Sequence, residues 1–392
     1  MKLRLSLLAA ASSAIVLLSA LPVRTARRPR YGGTLRVEIG TSIRSLDPAV
    51  PAANSDGEPV KEQIDSLIYD VLEPKSKFTV NGAFHVTAFE AGKRAVLAAT
   101  EDYRLGRPFV DSIEITMGRA ARERILDLEL NKTDFAEIPA EDARRAAEHG
   151  VRVSRSRPDE LLALVFLRGV EPKRSRGVDG RVREAIALAI DRAAIVNFIL
   201  QKEGEPAGGL LPQWSSGTAF LFSTAADVVH AKELSAQIVP VPKIVLGYDS
   251  GDSLEQAVAE RIAVDAREAR IQLTAQAVRP GLENASDARL VRLRMQSKSP
   301  RLALESFMDT LGALTKIEDK ALPDLASAED IYNRERAIVS SYRVVPLVWL
   351  PRVYGLSGRV RDWTPPGPGE GWPLADVWLD GPVEAAVEEG KK

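Results

Sequence analysis

The segment from Ile244 to Val278 constrains the fold more than any other stretch of the chain. Ile244, Val245 and Leu246 form a short apolar run of strand character. Ser253 and Gln256 suit a capping box for a helix carrying Leu254, Val258 and Ile262, and Ile271 to Val278 then alternates as a second strand. A strand, a helix and a strand in this order imply parallel pairing, with the helix packed on the sheet. The chain is therefore read as α/β.

The remaining pattern agrees. Gly32 to Ile39 alternates apolar and polar side chains as a half-buried strand does, until Asp47-Pro48 and the stretch to Pro59 break it. Ile64, Leu67, Ile68, Val71 and Leu72 recur at helical spacing within residues 60–73, a polar stretch follows at Lys75, Ser76 and Lys77, and strand-like sequence resumes at Phe78. Asp111–Thr116 reads as a strand and Ala120–Leu130 as a helix. Leu161 to Leu167 is continuously apolar, the pattern of a strand covered on both faces. Glu171 to Gly177 is polar and rich in breakers, as an inter-domain linker is. Val182, Ile186, Ala189 and Ile190 make a helical face, and Asp191 is placed to cap a second helix with Ile195, Phe198 and Ile199. Ser327 caps a last helix before the strand Val344–Leu350.

A length of 392 residues favours two domains, and 45% hydrophobic with 27% charged residues is ordinary for a globular protein. The net charge of -1, with both signs interspersed, supplies no field to draw in nucleic acid. The absence of cysteine excludes disulfide frameworks, thiolate metal sites, cysteine nucleophiles and a lipid-modified cysteine anchor. Lys2 and Arg4 precede an apolar run from Leu5 to Val23, the form of a secretory signal (1–26) that is either cleaved or kept as an anchor. Arg24, Arg27, Arg28 and Arg30 flank that run. The expected location is periplasmic or otherwise extracytoplasmic.

His85, His149 and His230 stand apart without metal-ligand spacing, and no catalytic motif or phosphate loop is present. No metal, cofactor or catalytic residue is expected. Binding is the activity the sequence favours over catalysis.

Several stretches resemble one family, the extracellular solute-binding proteins of dipeptide, oligopeptide and nickel ABC importers. They are Gly32-Gly33-Thr34-Leu35-Arg36-Val37 with Leu46-Asp47-Pro48, then Tyr103, Gly106, Pro108 and Asp111-Ser112-Ile113, then Asn131 to Ala136. The strongest runs from Val182 through Ala189-Ile190-Asp191-Arg192-Ala193-Ala194-Ile195-Val196 to Gly204-Glu205-Pro206-Ala207. Val345-Pro346-Leu347, Arg359-Val360 and Leu374 to Leu379 complete the series in the family's order. Two departures stand out. A small extra domain that the family carries between the helix near Leu67-Ile68 and Gly82-Ala83-Phe84 has no counterpart. The aromatic and acidic cleft segment of the family is replaced by Leu293 to Pro300, so recognition of a peptide ammonium by that acid does not carry over.

The resemblance implies a two-lobed periplasmic-binding-protein-like (type II) α/β fold with mixed sheets and an inter-lobe cleft, lacking the accessory domain. Lobe I is expected over 31–170 and completed by 355–382, lobe II over 178–354, with a charged tail at 383–392. The implied function is the substrate-binding component of an ABC importer, a monomer working with a membrane permease and holding a small polar solute or peptide between its lobes. The alternative is a degenerate bilobal protein with an interaction or sensory role and no transported ligand. Candidate ligand residues are Ser42 after the first strand, Trp214 after the Leu211-Pro212 turn, and Arg294 with Gln296 in the rewritten segment. Trp214 either packs under its loop or faces the cleft. Arg294 lies on a solvated face or, turned to the cleft, would pair with an anionic group of the ligand.

Overall fold

The computed structural model describes residues 28–51, 58–71, 78–79, 82–167, 178–216, 222–278, 286–315, 317, 322–323 and 326–381. The signal, the polar stretch at 75–77, the linker at 171–177 and the charged tail lie outside the described residues.

Lobe I is built on a seven-stranded sheet. Its order is β4 (Phe84–Glu90), β5 (Arg94–Ala99), β6 (Ser112–Thr116), β1 (Thr34–Glu38), β7 (Phe135–Ile138), β15 (Val353–Leu356) and β8 (Arg152–Arg155). β1 runs parallel to both neighbours, with Leu35 opposite Ile113 and Val37 opposite Phe135. Leu35 and Val37 face a core with α1 (Glu58–Ile68), Trp363 and Trp372, while α2 (Ala121–Glu129) and α3 (Ala143–Glu148) bury Ile125, Leu128 and Ala146 with Ala136 and Ile138 of β7 on the other face. The helix expected over 60–73 stops at Ile68, because Asp70–Val71 (β2) pairs with Phe78–Thr79 (β3). Between Ile68 and Phe84 the described residues hold only this pair of two-residue strands, where the family resemblance would lead to a further domain.

Asp134, fully buried just before β7, ties lobe I together. Its carboxylate accepts from the backbone nitrogen and guanidinium of Arg36 on β1, from Ser357 Oγ, and from Arg359 Nε and Nη2 at 2.7 Å each. Burial alone would raise its pKa, but these donors hold it at about 2.

Lobe II has a six-stranded sheet in the order β10 (Glu205–Pro206), β14 (Val344–Leu350), β9 (Glu160–Phe166), β13 (Ala288–Arg294), β11 (Lys243–Asp249) and β12 (Gln272–Val278). β11 pairs in parallel with β12 and β13, as the strand–helix–strand pattern requires. β9 shows why its sequence is uninterrupted in apolar residues. Leu162, Leu164 and Phe166 face a core with α4 (Gly180–Ala189) and α8 (Ser253–Glu268), whereas Leu161, Ala163 and Val165 face α9 (Pro300–Thr315) and α10 (Ala328–Val339). Three short helices complete the lobe: α5 (Arg192–Ala194, continued by a π-helical turn to Ile199), α6 (Gln213–Ser216) and α7 (Val228–Ala236). Asp191 caps α5 by accepting from Ala194 N, and the buried Arg192 beside it donates from Nε to Pro346 O at 2.8 Å.

Two expectations need correction. The boundary placed at residue 170 leaves β9 with lobe I, but β9 is central to the lobe II sheet, so the chain changes lobe between Arg155 and Glu160 and returns between Leu350 and Val353. The cap of α8 is Asp252, whose Oδ1 accepts from Glu255 N at 2.9 Å. Asp wins over Ser253 because the residue before the first helical one has the extended backbone that a cap needs. Ser327 does cap α10, in a box with Asp330.

Candidate functional site

In sheets with parallel strands the helices begin where strands end, so loops and polar side chains gather at the carboxyl edge. β1, β6 and β7 of lobe I end on one such edge, and β11 and β13 of lobe II on another. The two edges meet. Arg294, the last residue of β13, donates to Glu137 Oε1 of β7 at 3.4 Å, and Ser253 Oγ at the start of α8 donates to Glu141 Oε1 after β7 at 3.3 Å.

The two passages of chain between lobes run side by side. Ser156 N donates to Arg352 O, Arg352 N donates to Ser156 Oγ, and Asp159 N donates to Leu350 O. Arg352 Nη2 closes on Asp159 Oδ2 at 2.6 Å with both side chains buried, and also donates to Pro366 O. These two passages, tied to each other at several points, are the hinge segment between the lobes.

Above the hinge lies an ionic cluster. Glu160 sits between two guanidiniums, accepting from Arg292 at 2.7 Å and from Arg294 at 3.2 Å. Burial opposes its ionisation, but the two arginines hold its carboxyl at about 2. Arg292 also binds Asp252 Oδ2 at 2.6 Å and stands 3.9 Å from Glu255. Burial pushes the Glu255 carboxyl up to about 7, with Asp252 adding to the effect, although Asp249 N donates to it. On lobe I, burial followed by the Asp127 charge pushes Glu38 up to about 7, and Arg119 joins Asp127 at 2.6 Å and Glu38 at 3.8 Å. Burial also raises Glu141, whose described partner is Ser253.

The four residues singled out in the sequence fall in different parts of this region. Ser42 is exposed beyond the end of β1, close against Gly118 and Gly92, at the carboxyl edge of lobe I. A side chain at Gly118 would meet the Ser42 hydroxyl at 2.9 Å, and Gly118 also has a φ of 70°. Arg294 lies in the inter-lobe cluster, its charge matched by Glu137 and Glu160. Trp214 packs against the lobe II core that holds Leu161, donates from Nε1 to Pro158 O at 2.9 Å, and has the Arg157 guanidinium 5.8 Å from its ring centre. It braces the hinge. Gln296 is exposed, its carbonyl oxygen backed against Gly369, a glycine with φ of 72° where a Cβ would lie 2.4 Å from that oxygen. Trp214 and Arg294 are joined through Pro158–Glu160, whereas Ser42 stands apart from both, against Gly118 and Gly92.

Sequence reasoning passed over Glu137, Glu141, Glu160, Asp252 and Arg292. One signal was present: Arg292 and Arg294 are two apart on a strand, hence on one face, and a face with two arginines needs carboxylates opposite. The registry that sets Glu160 opposite Arg294 comes from folding and is absent from any local pattern.

Residues 47–305 match the model of the bacterial extracellular solute-binding proteins, family 5 (middle region). The oligopeptide-binding protein AppA of Bacillus subtilis is 28% identical over 128 residues, which are 32% of this chain and 23% of that protein, so the match spans about a quarter of the relative. Among solved structures, the substrate-binding protein CtaP of Listeria monocytogenes superposes with a TM-score of 0.73 at 13% identity, covering 89% of this chain and all (100%) of that one. AppA of Bacillus subtilis in complex with a nonapeptide gives 0.65 at 13% identity, over 90% of this chain and 100% of the other. NikA of Staphylococcus aureus in complex with Ni(L-His)2 gives 0.61 at 17%, over 80% and 72%. At these identities the superpositions speak for the two-lobed fold. The family model, which covers more than half of the sequence, carries the assignment: this chain belongs to the family 5 bacterial extracellular solute-binding proteins.

Proposed function

We propose that this protein is the extracytoplasmic substrate-binding component of an ABC importer, holding a small polar, peptide-like solute between its lobes and presenting it to a membrane permease. The observation that carries the reading is the meeting of two carboxyl strand edges over a two-segment hinge, with polar groups from both lobes at the seam. A hinge of this kind lets lobes part and close, and a solute that touches both lobes favours the closed arrangement by its differential contacts. Ser42 offers a hydroxyl at the lobe I edge, Arg294 links the lobes, and Trp214 and Gln296 support the hinge side of the cleft. The protein acts as a monomer, reaches its compartment through the N-terminal signal, and performs no chemistry on its cargo.

The Arg294–Glu137 and Ser253–Glu141 contacts favour a second reading, in which the protein's own groups hold the lobes together and the scaffold signals without cargo. A thermal-shift screen of di- to pentapeptides, with native mass spectrometry of protein purified from its source, separates the two. Cargo at one hundred times its Kd stabilises by about 2.7 kcal/mol through mass action. A melting temperature unmoved by every peptide, with no co-purifying mass, would sink the transport reading.

A further inference from the structure

Thr34 and Arg36 alternate along β1 with Leu35 and Val37, so they stand on the face of the lobe I sheet turned away from the aromatic core. At the beginning of the strand lies a cavity of about 230 Å³. Arg30, Tyr31, Arg36, Glu114, Arg359 and Asp380 are among its lining residues. The cleft lies off the other end of β1, at Glu38, roughly 13 Å of strand further on. Pockets that enclose a drug-sized ligand measure about 300–1,000 Å³, so this one suits a small ion or a headgroup.

Its charge is uneven. Arg36 and Arg359 share the single carboxylate of Asp134. The Asp134 side chain is fully buried, whereas those of Arg36 and Arg359 keep 34% and 26% of their exposure, so both guanidiniums stand between that carboxylate and the cavity they line. Arg359 commits Nε and Nη2 to Asp134 and Thr34 O, while its Nη1 has no acceptor among the described residues and is open to solvent. Arg30 is exposed and has no carboxylate within ion-pair distance among the described residues. The two acids of the lining are answered by arginines outside it, Glu114 by Arg94 at 2.7 Å and Asp380 by Arg361 at 2.9 Å. Five guanidiniums thus meet three carboxylates around one small space.

The arginines arrive from separate segments: Arg30 precedes β1, Arg36 lies within it, and Arg359 belongs to the chain returning after β15. Such an arrangement suits an anion with oxygens on several sides better than a planar carboxylate. We propose that this cavity binds a phosphate group, separately from the solute cleft, and that Arg30 and Arg359 hold it over the Asp134 knot. The group is free phosphate or the phosphate of an anionic lipid headgroup. Val23, the end of the apolar N-terminal run, stands only seven residues before Arg30, so a retained anchor would bring lipid phosphates within reach. Bound there, the phosphate joins the start of β1 to the C-terminal return of lobe I.

Isothermal titration of the full chain at constant ionic strength tests this with inorganic phosphate, glycerophosphoglycerol (the water-soluble headgroup of an anionic lipid) and acetate. Wild type is expected to bind one of the two phosphate probes about tenfold more tightly than acetate. Arg30→Gln is expected to weaken that binding about tenfold, and Arg359→Gln at least as far. Arg30 has no described partner to lose, so its variant decides the matter if Arg359→Gln does not fold. Arg28→Gln removes an exposed arginine outside the lining and is expected to bind as wild type does. Tighter binding of the headgroup assigns a lipid source and tighter binding of inorganic phosphate the free ion; both uphold the site. Acetate bound as tightly as phosphate, an Arg30→Gln protein that binds like wild type, an equal loss in Arg28→Gln, or no binding of any probe overturns it. None of these outcomes touches the import reading, which rests on the cleft.

Discussion

Asp134 and Glu160 are the same device put to two uses. Each is a carboxylate between two arginines, Asp134 buried and Glu160 partly buried, and each is held at about 2 against the pull of burial. Asp134 is fully enclosed, and its donors all come from lobe I: Arg36 on β1, and Ser357 and Arg359 on the chain that returns after β15. Glu160 sits at the first residue of lobe II, and its partners continue outward, Arg294 to Glu137 of the other lobe and Arg292 to Asp252. A knot closed within one lobe resists unfolding. A knot open toward the other lobe couples stability to how the lobes stand.

Removing the closed knot should have the larger effect. Asp134→Ala leaves Arg36 and Arg359 without their common carboxylate and is expected to cost about 3–5 kcal/mol, the range for breaking a buried pair from one side. Urea denaturation measures it. A loss below about 1 kcal/mol would mean that water replaces the carboxylate there and that the two knots do not differ as argued. Glu160→Gln should cost less, about 2 kcal/mol, because Arg292 retains Asp252 and Arg294 retains Glu137. It should also change the lobe arrangement, which Asp134→Ala should not. Small-angle scattering of the folded Glu160→Gln protein tests this through the radius of gyration. An unchanged radius would assign Glu160 to lobe II alone.

How much of this was legible beforehand follows the range of the interactions. The parallel unit around β11 and β12, the cap at Asp191 and the doubly covered β9 are local patterns of apolar spacing, and they stand in the sequence. The lobe boundary was missed because a breaker-rich stretch looks like a linker wherever it falls, whereas the true crossing at Ser156–Asp159 is short and held by hydrogen bonds to a segment nearly two hundred residues on. The cleft was the least legible part. Arg294 could be named, but its partners Glu137 and Glu160 are distant in sequence.

The smallest effect is a dependence on pH that sets the two knots against the raised carboxyls. Asp134 and Glu160 have folded values below the unfolded ones, so their contribution is complete above about pH 4.5 and is lost as pH falls toward about 2. Glu38 and Glu255 have folded values raised to about 7, so between about pH 4.3 and 7 the folded state holds protons that the unfolded chain has released. Stability should therefore fall as pH rises through that window, which puts its maximum near pH 5. Glu255→Gln keeps an oxygen to accept from Asp249 N but cannot ionise. It should flatten the decline by about 1–2 kcal/mol between pH 5 and 7, read from melts across that range, and leave the acid limb unchanged. The same slope in the variant as in wild type would show that Glu255 is ionised without strain in the folded protein. The inter-lobe cluster would then be as fully compensated as the knot around Asp134, and the distinction between the closed and open arrangements would rest on geometry alone.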